Sequence, residues 1–523
     1  MLSFRLSPFI VYLLLPLSFL GQEVEKNDSS DVLAEVLNTQ RLMPAPATSF
    51  RPGHIKPREI EDYLNRDEDG FTIQLPQKGL TPSPTVYKNM LFVGGGFGSK
   101  EFYAFHATTG EKIWAIELDD DGPSAAVIHE DLLIFNTESC TIFACNAFTG
   151  ELVWSYYLGD PLMSTPTIAN GLVFTAYPAS RGQLLLPSNN NYQNYLQQQQ
   201  SQYPDPIALQ EKKHASTDTQ KDHIWGTHIL IAMNARDGKI VWQKWIDGDV
   251  MSAPVAEGDE LFVSTFPGTF YKFALATGEI LAAQASRATS APVIVGDQVY
   301  MSQRSENEGE AVAEAISVMQ RSAPQQQRKY AKRSAPYLDA RIQSQSSFKS
   351  LAADYDAGNG FVSGAPANSG WQAASSNIGQ SNVASLQAFQ GSRILHIDGK
   401  NYNTMGDELI CSDPQSGKVI WKHLIDGDLH SIGGFLATPP ISVDGKVIIA
   451  SIDGDIIIYH AESGDELSRY STGEQIRYQP VISNGWIYVS TMSGKIIGIR
   501  TGNPSLTGWS TWGANAAHTN QIE

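Results

Sequence analysis

The sequence predicts an all-β chain folded as a single β-propeller of seven four-stranded blades, with eight blades as the alternative. Three recurring features predict it. A turn close to Ala-x-Thr-Gly-Glu recurs with its glycines at Gly110, Gly150, Gly238, Gly278, Gly417, Gly464 and Gly502. A proline after small residues opens the copies at Pro84, Pro166, Pro254, Pro292, Pro440 and Pro480, with Ala126 in that place in the second copy. Four copies carry a tryptophan four residues after the glycine: Trp114, Trp154, Trp242 and Trp421. The glycine intervals are 40, 88, 40, 139, 47 and 38 residues, so the unit is about 40 residues interrupted by insertions. A unit of that size cannot bury its own apolar face. Copies must stack, and four short strands per copy close most naturally into a ring.

Taken from the N-terminus, residues 1–22 read as a secretory signal, with Arg5 ahead of an apolar run from Pro8 to Leu20. The run is short for a membrane span, and no Cys follows it, so neither a transmembrane helix after signal removal nor a lipid anchor is expected. Residues 23–66, with Pro44, Pro46, Pro52 and Pro57 among polar residues, read as a flexible linker. Phe71-Thr72-Ile73-Gln74-Leu75 is a strand with no local partner, and it is expected to complete the last blade and close a ring spanning 71–505.

Within a copy the strands are short. Blade four reads Ser252–Val255, Leu261–Ser264, Tyr271–Ala274 and Glu279–Ala282, separated by Gly-Asp, Pro-Gly and Thr-Gly turns. The opening proline stands where a missing N–H does least harm to a ladder. The turn glycine supplies a positive φ. The tryptophans lie on fourth strands, where a large ring covers the seam between blades.

Two insertions, 178–226 and 305–406, fall between second and third strands and are expected on one face of the disc. The first is rich in Asn and Gln. The second carries a helix-like piece, Glu310–Ile316, and a basic run in which Arg328, Lys329, Tyr330, Lys332 and Arg333 are partner-binding candidates. A tail, 506–523, follows the ring, and its Trp509 and Trp512 leave room for an eighth blade.

The formal net charge of −18 over 523 residues argues against nucleic acid as a partner, since phosphate binding needs a basic surface. Three cysteines, Cys140, Cys145 and Cys411, are too few and too scattered for a disulfide framework or a zinc cluster. The blade-to-blade links are acidic, and Asp121, Asp160, Asp249 and Asp428 are weak candidates for a hard cation on the same face as the insertions. Asp and Gly also simply build tight turns, as Asp453-Gly454-Asp455 does within a hairpin. There is no Gly-x-Ser-x-Gly elbow, no His-Glu-x-x-His and no phosphate-cradling glycine loop. His106 and His460 occupy equivalent positions in two copies, which marks repeat structure rather than catalysis. No catalytic or cofactor-binding residue is expected.

The copies Ala107–Trp114 and Ala147–Trp154 resemble the repeat of PQQ-like β-propellers, whose pattern is close to Ala-Leu-Asp-Ala-x-Thr-Gly-x-x-x-Trp. Two families share it. The BamB-like proteins imply a non-enzymatic scaffold of the periplasm or cell envelope that helps assemble outer-membrane barrels and binds envelope proteins, here as an exported monomer. The quinoprotein dehydrogenases, the alternative, imply pyrroloquinoline quinone and Ca²⁺ at the ring centre. The chain lacks the adjacent Cys–Cys pair of the alcohol-oxidising enzymes, shows no evident Ca²⁺-and-base cluster, and with seven expected blades falls short of their usual eight, so the scaffold is the leading expectation and no cofactor is expected outside the alternative. A polymer-binding or hydrolytic propeller is a third class, requiring convergent carboxylates in the funnel.

Overall fold

The computed structural model describes residues 53–515 apart from 97, 138–140, 159–164, 179–227, 247–249, 251, 266–268, 287, 289, 306–312, 323–326, 335–391, 428–435, 504–507 and 510–512. Every regular element among the described residues is a strand, and the strands form eight antiparallel sheets. Blade one runs through Thr85–Tyr87, Met90–Gly94, Glu101–His106 and Lys112–Leu118, and blade two through Val127–His129, Leu132–Asn136, Thr141–Asn146 and Leu152–Tyr157. Blade three has Thr167–Ala169, Leu172–Pro178, His228–Asn234 and Ile240–Ile246; blade four has Val255–Glu257, Glu260–Ser264, Thr269–Ala274 and Ile280–Ala285. Blade five follows with Val293–Val295, Gln298–Ser305, Ala313–Gln320 and Gln327–Ser334, and blade six with Ile394–Ile397, Lys400–Met405, Glu408–Ser412 and Val419–Leu424. Blade seven is Ile441–Val443, Lys446–Ala450, Asp455–His460 and Glu466–Ser471. Blade eight takes Val481–Ser483, Trp486–Ser490 and Lys495–Arg500 from the C-terminal part and its outer strand, Gly70–Gln74, from the N-terminal part. The ring therefore closes through the strand near residue 71, as its lack of a local partner implied. Phe71 pairs with Gly498 and Ile73 with Ile496.

The propeller has eight blades, which is the alternative count rather than the seven read from the turn glycines. The extra blade lay hidden in the stretch expected as the second insertion, 305–406. Four strands there belong to the ring, and the span that interrupts it, 335–391, joins the outer strand of blade five to blade six. Blade five escaped the count because its third and fourth strands are joined through Arg321-Ser322, with neither a Thr-Gly turn nor a following Trp. The helix-like Glu310–Ile316 run is likewise corrected. Ala313–Gln320 is a strand held on both sides, with Ile316 opposite Ser302 and Tyr330, and pairing outweighs the helix propensity of Ala and Glu.

The expected linker, 23–66, ends in two strands. Ile55–Pro57 adds to the outer strand of blade one, and Leu64–Arg66 to the outer edge of blade eight. In the expected tail, Gly508–Trp509 adds to the innermost strand of blade seven, with Trp509 opposite Ser442. First strands of neighbouring blades touch one another at six of the eight seams around the axis. Side-chain bonds tie them, such as Thr85 Oγ1 to the Ala126 carbonyl at 2.7 Å and Ser83 Oγ to the Gln479 carbonyl at 3.1 Å, the latter across the closure. First-to-second and third-to-fourth turns lie on one face, here the turn face. Second-to-third turns and blade-to-blade links lie on the other, the link face. By this topology the spans 179–227 and 335–391 both attach on the link face.

The Thr-Gly and Trp signature has one physical origin. Gly150, at φ +74°, lies under the Trp114 ring of the preceding blade, and a Cβ there would come within 2.9 Å of the indole. The same holds for Gly238 under Trp154, Gly278 under Trp242 and Gly464 under Trp421. Each indole N–H then crosses the seam to a carbonyl three residues before that glycine. Trp114 donates to Ala147 at 2.9 Å, Trp154 to Ala235 at 2.8 Å, Trp242 to Leu275 at 2.9 Å and Trp421 to Ala461 at 3.1 Å. At the closure, where the chain ends meet, Leu64 and Phe71 cover Gly110 instead. Only glycine meets both demands, a left-handed backbone and an aromatic face in contact.

Gly150→Ala and Gly171→Ala separate the two demands, because Gly171 (φ +72°) has nothing within 4 Å of its built Cβ. Gly171→Ala is expected to cost about 1 kcal/mol from backbone strain alone, and Gly150→Ala roughly 2–4 kcal/mol once the overpacked ring is added. Urea denaturation of both variants checks the difference; equal costs would mean the indole contact is loose.

Candidate functional site

Of the four acidic residues flagged in the sequence, one is described, Asp121 on the link face. Asp160, Asp249 and Asp428 lie outside the described residues. Asp121 sits in the link from blade one to blade two beside Asp120, whose carboxylate accepts from Thr137 Oγ1 at 2.5 Å and Thr141 Oγ1 at 2.6 Å. Asp120 thus clamps the link to a hairpin of blade two, a turn-building role. Burial raises the Asp121 carboxyl above its ordinary range, and the charge of Asp120 adds to the shift. Among the described residues no three His, Cys, Asp or Glu side chains gather in a way that could hold a metal ion.

The ring axis is the place the quinoprotein alternative would use. The first strands of the blades read Thr-Val-Tyr, Val-Ile-His, Thr-Ile-Ala, Val-Ala-Glu, Val-Ile-Val, Ile-Leu-His-Ile, Ile-Ser-Val and Val-Ile-Ser, with Gly508–Trp509 added inside the seventh. His396, on one of them, is committed elsewhere. Its ring stacks on Tyr300 at 5.2 Å, its Nδ1 lies 2.6 Å from Asn401 Oδ1, and burial lowers its pKa. Cys145 and Cys411, on third strands of blades two and six, are buried and far apart in the ring, and burial pushes their thiols up to about 12 and about 11.

Blade five breaks the sealing rule of its neighbours. Toward blade four, Arg321 replaces the glycine latch: its Nε lies 2.5 Å from Glu260 Oε2, its Nη2 donates to the Glu257 carbonyl at 3.1 Å, and its guanidinium lies 5.6 Å from the Phe262 ring centre. Lys272 Nζ donates to the Arg321 carbonyl at 3.1 Å and pairs with Glu260 at 3.2 Å. Toward blade six the seam is polar. Ser302 shares the face of Tyr300, and Asn403 and Ser412 share that of Asn401. The Ser302 and Ser412 hydroxyls and both amide atoms of Asn403 are buried without a hydrogen-bond partner among the described residues. Such an atom typically costs about 1–3 kcal/mol. No fourth-strand Trp seals this seam.

The partner-binding candidates lie on the outer strand of this same blade. Arg328, Lys329, Tyr330, Lys332 and Arg333 fall within Gln327–Ser334, in register with the third strand: Arg328 opposite Val318, Lys329 opposite Ser317, Arg333 opposite Glu314. They sit on a blade edge of the ring, not on a free insertion arm as the sequence suggested. Sequence reasoning missed Arg321, Glu260 and Lys272. Only the absent Thr-Gly in an otherwise regular spacing pointed toward them.

Because the Asp121 carboxyl is raised in the folded state, its ionised form destabilises the fold at neutral pH. Asp121→Asn is therefore expected to raise the melting temperature at pH 7, with the gain shrinking as pH falls through the raised carboxylate pKa. A loss of stability that depends on added Ca²⁺ would instead mark a cation site.

The family model described as outer membrane protein assembly factor BamB matches residues 98–313 and 359–504, more than half of the chain. No curated protein sequence matches it. Among solved structures, BamB from Moraxella catarrhalis is similar at 11% identity and a TM-score of 0.48, covering 84% of this chain and 97% of that one. The quinohemoprotein alcohol dehydrogenase ADHIIG from Pseudomonas putida HK5 is similar at 11% identity and 0.47, covering 83% and 76%. Sqt1 from Saccharomyces cerevisiae is similar at 8% identity and 0.48, covering 82% and 98%. The recurring turn, the seam-sealing tryptophans and the family match lead to one conclusion: this chain belongs to the BamB family of outer membrane protein assembly factors.

Proposed function

We propose that the protein is a non-catalytic scaffold of the cell envelope that binds other envelope proteins, outer-membrane assembly components among them, through blade five and the link face beside it. The observation that carries this reading is the departure of blade five. It replaces the glycine–indole seal with the Arg321–Glu260 pair at one seam and places four cations on its outer strand in a chain of net charge −18. Local rules are broken most often where function requires it. The family match supports the scaffold role. Residues 1–22 supply the export signal in this reading.

Crosslinking in intact cells, followed by identification of the joined protein, tests the proposal. Reversal of Arg328, Lys329, Lys332 and Arg333 to Glu is expected to reduce capture at least tenfold while leaving the melting temperature within a few degrees. Unchanged capture would place the partner elsewhere. Reduction of a dye with an alcohol or sugar, after loading with pyrroloquinoline quinone and Ca²⁺, would overturn the non-catalytic reading. Deletion tests belong within 335–391, because removing 305–406 would take strands from blades five and six.

A further inference from the structure

Among the described residues, the outer strand of blade five has a free edge. The sheet order places Gln327–Ser334 outermost, paired only with Ala313–Gln320 among the described residues. In an antiparallel pair, alternate N–H and C=O groups of an outer strand point away from its neighbour and are open to a further strand. At eight residues it is longer than the outer strands of the other blades, which run five to seven.

This chain already closes two such edges by strand addition. Ile55–Pro57 lies on the outer strand of blade one, where Lys56 stands opposite Glu117 and pairs with it at 2.9 Å. Leu64–Arg66 lies on the outer edge of blade eight. In the first case opposite charges meet across the added strand, and such a pair contributes to the choice of register.

The charge of the free edge selects its occupant. Arg328, Lys329, Lys332 and Arg333 put four cations within six residues. The outer strands of blades two and four, Leu152–Tyr157 and Ile280–Ala285, have none. Four like charges repel a second copy of the same strand. They attract an acidic one.

We infer that blade five recognises its partner by strand addition: an extended acidic segment of another polypeptide pairs with the edge Gln327–Ser334, whose sequence carries Arg328, Lys329, Lys332 and Arg333. This rests on the scaffold reading and names the chemistry of its partner. Backbone pairing supplies affinity that is nearly independent of sequence, and the charges supply selection.

Amide hydrogen exchange on the full chain tests it directly, with an eight-residue capped peptide alternating Glu and Val as probe and a Lys–Val peptide as its counterpart. The acidic peptide is expected to slow exchange at alternate amides of 327–334 at least tenfold, less at high salt, while the Lys–Val peptide leaves them unchanged. The R328E/K329E/K332E/R333E variant is expected to exchange that preference for the Lys–Val peptide, with unchanged protection of Thr141–Asn146 reporting an intact ring. Should the reversed chain not fold, the R328Q/K329Q variant is expected to weaken acidic-peptide protection without reversing it. Equal protection by both peptides, equal protection of Leu152–Tyr157, or no protection would overturn the inference. So would an edge already protected in the full chain and freed by deleting residues 23–37, since the occupant would then be the chain's own acidic segment. If the peptide binds but crosslinking capture ignores the reversal, strand addition stands and the scaffold reading fails; the converse result separates them the other way.

Discussion

The glycine beneath the indole is the contact on which the ring depends. A single blade is four short strands with both faces apolar, too small to persist alone. Each seam must exclude water over its whole width, and the turn at its outer rim is where a gap would open. A left-handed glycine lowers the backbone enough for an indole to lie flat on it, and the N–H at the ring's far edge reaches a carbonyl across the seam. One residue choice thereby serves backbone conformation, packing and hydrogen bonding together. That is why the motif recurs while most other positions vary.

Closure applies the same constraint to a different piece of chain. The turn at Gly110 has no preceding blade with a tryptophan, so Leu64 and Phe71 from the N-terminal part cover it, while Tyr63 Oη accepts from the Lys112 N–H at 2.7 Å. The last blade is built from both ends of the ring-forming chain, which couples its formation to that of the first. The Gly508–Trp509 strand extends blade seven toward the axis, so the chain contributes to its own centre as well as its rim.

Much of this was legible in the sequence wherever a local rule forces a residue. Gly150 and Trp154 could be read because sterics leave few substitutes, and the strand near Phe71 because an unpaired β run needs a partner. Blade five could not. Its seal joins Arg321 to Glu260, sixty-one residues apart, and charged side chains meeting across a seam leave no spacing to detect. Ala313–Gln320 carries helix-favouring residues that only the neighbouring strands override. The three-residue strands at Ile55 and Leu64 are too short for an alternating pattern, and Pro57 disguises the first as linker. On the candidate site, the basic run was visible as charge, but its place on a blade edge follows only from the register with Val318 and Ser317. The acidic link was visible too, whereas the part Asp120 plays with Thr137 and Thr141 needed coordinates.

Native-state hydrogen exchange, resolved by residue over a denaturant series, measures the central claim most directly because it reports the opening free energy of each blade separately. Seams sealed by glycine and indole hold until the ring unfolds as a whole, so third-strand amides of blades two and three are expected to exchange only with global unfolding. Third-strand amides of blades five and six, between the charged seal and the polar seam, are expected to exchange through a smaller opening at lower denaturant. A uniform opening free energy around the ring, or blades two and three opening first, would contradict it.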